Sequence, residues 1–160
     1  MVREFDPEEE VLLINLYRDE RVTLNISEST DEETKQKFTE ALKSYRSGSG
    51  LGRWGIFNPE DGKFIGVCSL KQADADHKRI ELGYVLHPDY WGRGLATELA
   101  KALVFYGFQD RGLTEICAST LPENYNSQNV LLKAGFVRDG TAFWHGADLP
   151  FFKIKKRRSF

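Results

Sequence analysis

Apolar residues along this chain fall at two spacings, and each change of spacing marks a change of element. Between Pro7 and about Arg18, Leu12, Leu13, Leu16 and Tyr17 share one side of a helical repeat and predict a helix. Its start is written in Asp6-Pro7-Glu8-Glu9: a capping aspartate, a proline at the first helical position, and a glutamate able to complete a capping box. Thr30, with Glu33 three residues on, opens a second helix that buries Phe38, Ala41, Leu42 and Tyr45 and ends in the loop Ser47-Gly48-Ser49-Gly50.

Alternation then takes over. Arg53 to Phe57 and Phe64 to Lys71 predict a hairpin joined through Asn58-Pro59-Glu60-Asp61-Gly62, whose Asp-Gly supplies the positive φ of a tight turn. After a polar loop from Ala73 to Lys78, Ile80, Leu82, Tyr84 and Leu86 alternate with Glu81, Gly83 and Val85 in a strand that breaks at Pro88. Gly92 and Gly94 lead into a helix from near Leu95 to about Asp110, which buries Leu95, Leu99, Leu103 and Tyr106 and ends near Gly112. Leu113 to Thr120 is a further strand, and Pro122 to Asn126 leads into a short helix through Ser127, Val130, Leu131 and Ala134, stopped by Gly135. Phe136 to Lys156 reads as two strands, around Gly140 and around Gly146 to Pro150. Interleaved helices and strands, with no repeat and no dividing linker, give an α/β or α+β fold with a mixed sheet, residues 1–160 forming a single domain.

Composition narrows the partners. A chain of 160 residues with a formal net charge of -2 has no global attraction for nucleic acid or an anionic membrane, so neither is an expected partner and an anionic ligand must be held locally. Cys68 and Cys117 sit in apolar strand-like runs and read as reduced, packed thiols, and no His lies at a ligand spacing to either, so no metal site is expected. The start MVREFDPEEE is acidic where a secretory signal is basic then apolar, and no apolar run approaches membrane-spanning length; the expected location is the cytoplasm.

Local anion chemistry has one candidate, the strand–glycine–helix passage from Arg79 to Glu98. Glycines let backbone amides approach a ligand closely, and the unpaired amides of a helical first turn carry partial positive charge. Gly92-Arg93-Gly94 lacks the third glycine of a dinucleotide site and the Gly-Lys-Ser/Thr of a P-loop, which disfavours a plain nucleotide-binding domain.

The run ELGYVLHPDYWGRGLATE, followed after one helix and one strand by PENYNSQNVLLKAGF, resembles the acetyl-CoA-binding core of the GCN5-related N-acetyltransferases (the GNAT superfamily). The branch it is most similar to includes the ribosomal-protein N-terminal acetyltransferases, and the two motifs cover roughly residues 79 to 137. The resemblance implies a mostly antiparallel central sheet splayed at the cofactor site and flanked by about four helices. Its first strand is cut to a stub at Val2 to Phe5. It implies acetyl-CoA as cosubstrate, with the pyrophosphate on the amides of Gly92, Arg93, Gly94, Leu95, Ala96 and Thr97, and the pantetheine arm along Val85, Leu86 and His87. The amide of Leu86 or His87 would polarise the thioester carbonyl; the Arg93 side chain either adds a contact or is simply solvated.

For chemistry, the resemblance implies Glu81 as the general base that takes a proton from the amine; its other reading is a solvent-facing strand residue. Many relatives carry a tyrosine acid where this chain has Leu131, so a tyrosine acid is in doubt. Ser127, with Asn124 before it, matches the branch pattern Asn-x-x-Ser: Ser127 to donate to the departing sulfur, Asn124 to bind the pantetheine amide or fix the helix start. Both are also ordinary capping types. Trp91 stands where the wider superfamily often has Gln or Arg; an aromatic there is characteristic of the branch this chain resembles and does not count against binding, and Trp91 packs behind the turn. Tyr45, Trp54, Trp144 and His145 fall where relatives build the acceptor pocket, although such aromatics are more often core and His145 reads as a loop residue. The closing basic segment, residues 153–160, reads as a solvated tail blunting an edge strand. The expected activity is direct transfer of an acetyl group to a primary amine of a small molecule or a protein N-terminus, with a homodimer kept open. The rival is a non-catalytic acyl-CoA-binding module.

Overall fold

The capping signals are satisfied much as they are written. In the computed structural model, which describes residues 1–73, 78–144 and 146–158, strand β1 (Val2–Arg3) leads into a 3-10 turn, Pro7–Glu9, where the Glu9 carboxylate accepts the Asp6 N–H at 2.8 Å. Helix α1 (Glu10–Arg18) follows, so the first helix is two pieces, a proline-led turn and an α-helix. Asp19 then accepts the Arg21 N–H at 3.0 Å and starts α2 (Glu20–Thr23), a four-residue helix absent from the sequence reading and held by buried Val22. At α3 (Asp31–Tyr45) the capping box is complete: Thr30 Oγ1 accepts from Glu33 N at 3.1 Å and the Glu33 carboxylate accepts from Thr30 N at 2.9 Å.

Strands β2 (Gly52–Phe57) and β3 (Phe64–Gln72) form the expected hairpin, with Gly62 at φ 72° and Gly62 N–H donating to the Asn58 carbonyl at 2.8 Å. Strand β4 (Ile80–Leu86) runs antiparallel to β3. Ala73 N–H donates to Arg79 O at one end and His87 N–H to Ile65 O at the other, so numbering falls along one strand as it climbs along its neighbour. Then come a 3-10 turn at Pro88–Tyr90, helix α4 (Leu95–Gln109), strand β5 (Glu115–Ser119), helix α5 (Tyr125–Lys133), and strands β6 (Val137–Trp144) and β7 (Ala147–Lys155). The sheet has seven strands in the order β1-β2-β3-β4-β5-β7-β6, with β4 and β5 parallel at Glu81 opposite Cys117. Among the described residues five α-helices flank it where about four were expected, the extra one being α2. Most of the loop expected at Ala73 to Lys78, the loop residue His145, the Trp144 side chain and the last two residues of the basic segment lie outside the described residues.

Two compact units make up the chain: Met1–Ser69 with Gly83–Arg93, and Leu70–Leu82 with Gly94–Phe160. The first is centred on Phe5, Leu13, Leu16, Val22, Phe38 and Phe57, each at most 3 % exposed, and each such burial contributes about 1.5–3 kcal/mol. Tyr45, a candidate pocket wall, belongs to this core as a pin: its hydroxyl donates to Arg53 O at 2.6 Å and accepts from Phe5 N at 3.1 Å. In the second unit, α4 lies against one face of the sheet, where a Cβ on Gly107 would come within 2.8 Å of Ile116 and 3.2 Å of Leu70. Cys117, Leu149 and Phe151 pack together on the opposite face.

The basic segment needs correction. Lys153 to Lys155 belong to β7, which pairs with both β5 and β6 and so is an inner strand, not an edge. The segment's three lysines have partners: Lys153 with Asp139 at 3.0 Å, Lys155 with Glu115 at 3.7 Å, and Lys156 Nζ donating to the Phe108 carbonyl at the end of α4 at 2.9 Å, while Arg157 and Arg158 are exposed. The edge strand at this end of the sheet is β6, whose register slips between Arg138 and Thr141 around Gly140 at φ 66°.

Cys68 and Cys117 are free and buried, and burial pushes both thiols up to about 12. Neither is expected to react with iodoacetamide in the native protein at pH 8, since the thiolate is the nucleophile. Mass spectrometry showing rapid labelling of either before unfolding would contradict this environment.

Candidate functional site

The turn after β4 is built by residue type. Gly92 and Gly94 both sit in left-handed backbone, at φ 73° and 76°, which L side chains adopt only with strain. A Cβ placed on either would meet nothing within 4 Å, so open space lies beside both. Gly94 is the N-cap of α4 and contributes no side chain to the helix mouth. The first intrahelical bond is Glu98 N–H to Gly94 O at 3.1 Å, which leaves the amides of Leu95, Ala96 and Thr97 ahead of the ladder, at the positive end of a 15-residue helix. Arg93 is exposed, with its guanidinium 5.4 Å from the Tyr90 ring centroid.

The end of β4 is held on one side by β3. His87 N–H donates to Ile65 O at 2.7 Å, and its carbonyl accepts from Tyr90 N at 2.9 Å. Its imidazole Nδ1 accepts the Asp89 N–H at 3.2 Å and caps the Pro88–Tyr90 turn. Strand alternation therefore turns the N–H and C=O of Leu86 away from β3. The Leu86 carbonyl accepts from Trp91 Nε1 at 2.9 Å. Opposite this residue lies Gly66 on β3, where a Cβ would stand 2.3 Å from the Val85 carbonyl oxygen and 2.9 Å from Leu86 Cα. Only a residue without a side chain lets the two strands come this close.

Glu81 is half-buried and stands directly opposite Cys117, so the two share the sheet face of Leu149 and Phe151, away from α4. Arg79, two residues earlier on that face, lies 5.3 Å from the Phe151 ring centroid. The Cys117 thiol donates to the Ile80 carbonyl at 3.4 Å; burial and then the Glu81 charge hold it protonated. At α5, the Asn124 side-chain oxygen accepts the Ser127 N–H at 3.1 Å, which joins those two residues and starts the helix. Leu131, at the position of the relatives' tyrosine, is buried at 1 % exposure and has no proton to give.

Within the first unit the structure brings together Val85, Leu86, His87, Gly92 and Arg93, and within the second Gly94, Leu95, Ala96 and Thr97 at one helix mouth and Asn124 with Ser127 at another. Two residues went unnoticed in the sequence reading: Gly66, whose signal was a glycine inside a strand pattern, and Trp91 as a hydrogen-bond donor.

A family model described as an acetyltransferase (GNAT) domain matches residues 1–137. The chain is 35 % identical over 96 residues to the uncharacterized N-acetyltransferase YoaA of Bacillus subtilis, a match spanning 60 % of this chain and 54 % of that protein. To the uncharacterized N-acetyltransferase p20 of Bacillus licheniformis it is 29 % identical over 141 residues, 87 % of this chain and 79 % of p20. Among solved structures, aminoglycoside acetyltransferase AAC(6')-Ib in complex with coenzyme A and kanamycin superposes with a TM-score of 0.77 at 18 % identity, covering 98 % of this chain and 94 % of that one.

Proposed function

The chain belongs to the GNAT acetyltransferase family, and on that footing we propose that it moves an acetyl group directly from acetyl-CoA to a primary amine in the cytoplasm, without a covalent enzyme intermediate. The observation that carries this reading is the turn itself: two left-handed glycines with open space beside them at the mouth of a long helix. That arrangement fits a diphosphate, which would be held by the amides of Gly92 to Thr97, with Arg93 beside it. Acetyl-CoA would supply an activated acyl group, with coenzyme A departing as the thiolate.

The chain's own residues divide the work. The pantetheine arm runs beside Val85, Leu86 and His87. Because the His87 N–H is already bonded to Ile65 O, the donor to the thioester carbonyl is the Leu86 N–H, turned away from β3. Glu81 takes the proton from the attacking amine, which at neutral pH is mostly charged and must lose it to become a nucleophile. Ser127 donates toward the departing sulfur, while Asn124 holds the helix start that carries it. The relatives' names favour an enzyme over a non-catalytic acyl-CoA-binding module.

The acceptor is an amine of a small molecule or a protein N-terminus. Following free thiol release across amino acids, polyamines, aminoglycosides and N-terminal peptides is expected to identify a class that accelerates release well above hydrolysis. Tight coenzyme A binding with no acceleration by any amine would favour the binding-module reading instead.

A further inference from the structure

We propose that Trp91 is a positioning residue for acyl transfer, acting through the hydrogen bond from its Nε1 to the Leu86 carbonyl. The inference rests on the reading above in which the Leu86 amide meets the thioester carbonyl. Trp91 is 43 % exposed, so burial alone does not dictate where its ring lies; yet its single polar atom reaches back five residues to one backbone oxygen at 2.9 Å. Between the two ends of that bond the chain is folded on itself by Tyr90 N–H to His87 O and Trp91 N–H to Pro88 O, at 2.9 and 3.1 Å.

Leu86 is thereby gripped from both sides. On the β3 side, the His87 N–H is bound to Ile65 O and the bare Cα of Gly66 lets β4 close in. On the other side, Trp91 holds the carbonyl. A donor tuned for a developing charge has to be fixed before reaction begins, and a misplacement on the order of 1 Å is enough to lose about 100-fold in rate. Trp91 also continues directly into Gly92, so one residue links the backbone that grips the diphosphate to the backbone that aligns the acyl carbonyl. A tryptophan that merely filled space behind the turn would need no such bond, and phenylalanine would replace it without consequence.

The test uses two inert analogues of acetyl-CoA, a ketone that keeps the acyl carbonyl and a thioether that lacks it. The unaltered protein should bind the ketone several-fold more tightly than the thioether. Trp91→Phe should bring the two affinities together and lower kcat about tenfold, while the affinity for coenzyme A itself, which has no acyl carbonyl, stays within about twofold. Gly66→Ala, which crowds the same residue from the opposite side, should also reduce the preference for the ketone. If Trp91→Phe keeps both the ketone preference and the wild-type kcat, the positioning role is wrong while the acetyltransferase reading stands. If the unaltered protein binds neither analogue, the site reading fails and the inference falls with it.

Discussion

Gly94→Trp is expected to weaken coenzyme A binding at least 100-fold while leaving the protein folded. At φ 76° a non-glycine residue costs about 1–2 kcal/mol of backbone strain, well within the roughly 5–15 kcal/mol by which a domain is ordinarily stable. Apart from its own chain neighbours, nothing in the protein lies within 4 Å of a Cβ at this position, so the indole has room to extend into the space that a diphosphate would fill. Each tenfold loss of affinity corresponds to about 1.4 kcal/mol, and displacing a multiply charged group from three first-turn amides accounts for two such steps. Titration calorimetry paired with a thermal melt separates the effects. Undiminished binding heats in a folded variant would show that the anion lies elsewhere.

Glu81→Gln is expected to lower kcat between about 100- and 10,000-fold with little change in coenzyme A affinity, the range expected for losing a general base. The amide keeps the size of the carboxylate and removes its ability to take a proton. An unchanged kcat in the variant would remove Glu81 from the mechanism. Its position opposite Cys117, on the face away from α4, leaves the structural alternative of a half-buried strand residue with no catalytic part, and this variant distinguishes the two.

What could be read in the chain beforehand is whatever is encoded by residue type at short range. Gly92 and Gly94 declare left-handed backbone, Thr30 with Glu33 declares a helix start, and Asp61-Gly62 declares a turn, because each acts on its immediate neighbours. Helix α2 escaped because four residues carry no periodic pattern, and it is kept in place by Val22 inside the first unit's core. Gly66 was visible as a glycine in a strand, but the carbonyl it accommodates belongs to Val85, a strand away, and no local rule names that partner. Leu86 and His87 were likewise indistinguishable as donors until the register with β3 assigned one amide to Ile65. The basic segment was misplaced for the same reason: strand order, with β7 between β5 and β6, is a property of the whole sheet.

Cys117 carries a last consequence. A sulfur nucleophile in the strand register of the proposed proton acceptor would be a rival destination for the group being transferred, since thiolates exchange readily with thioesters. An enzyme that captured its own acyl cargo there would inactivate itself. A buried thiol that keeps its proton up to about 12, with its hydrogen turned to the Ile80 carbonyl, is a poor nucleophile for that side route, so a cysteine one strand away from the proposed base need not compete for the acyl group.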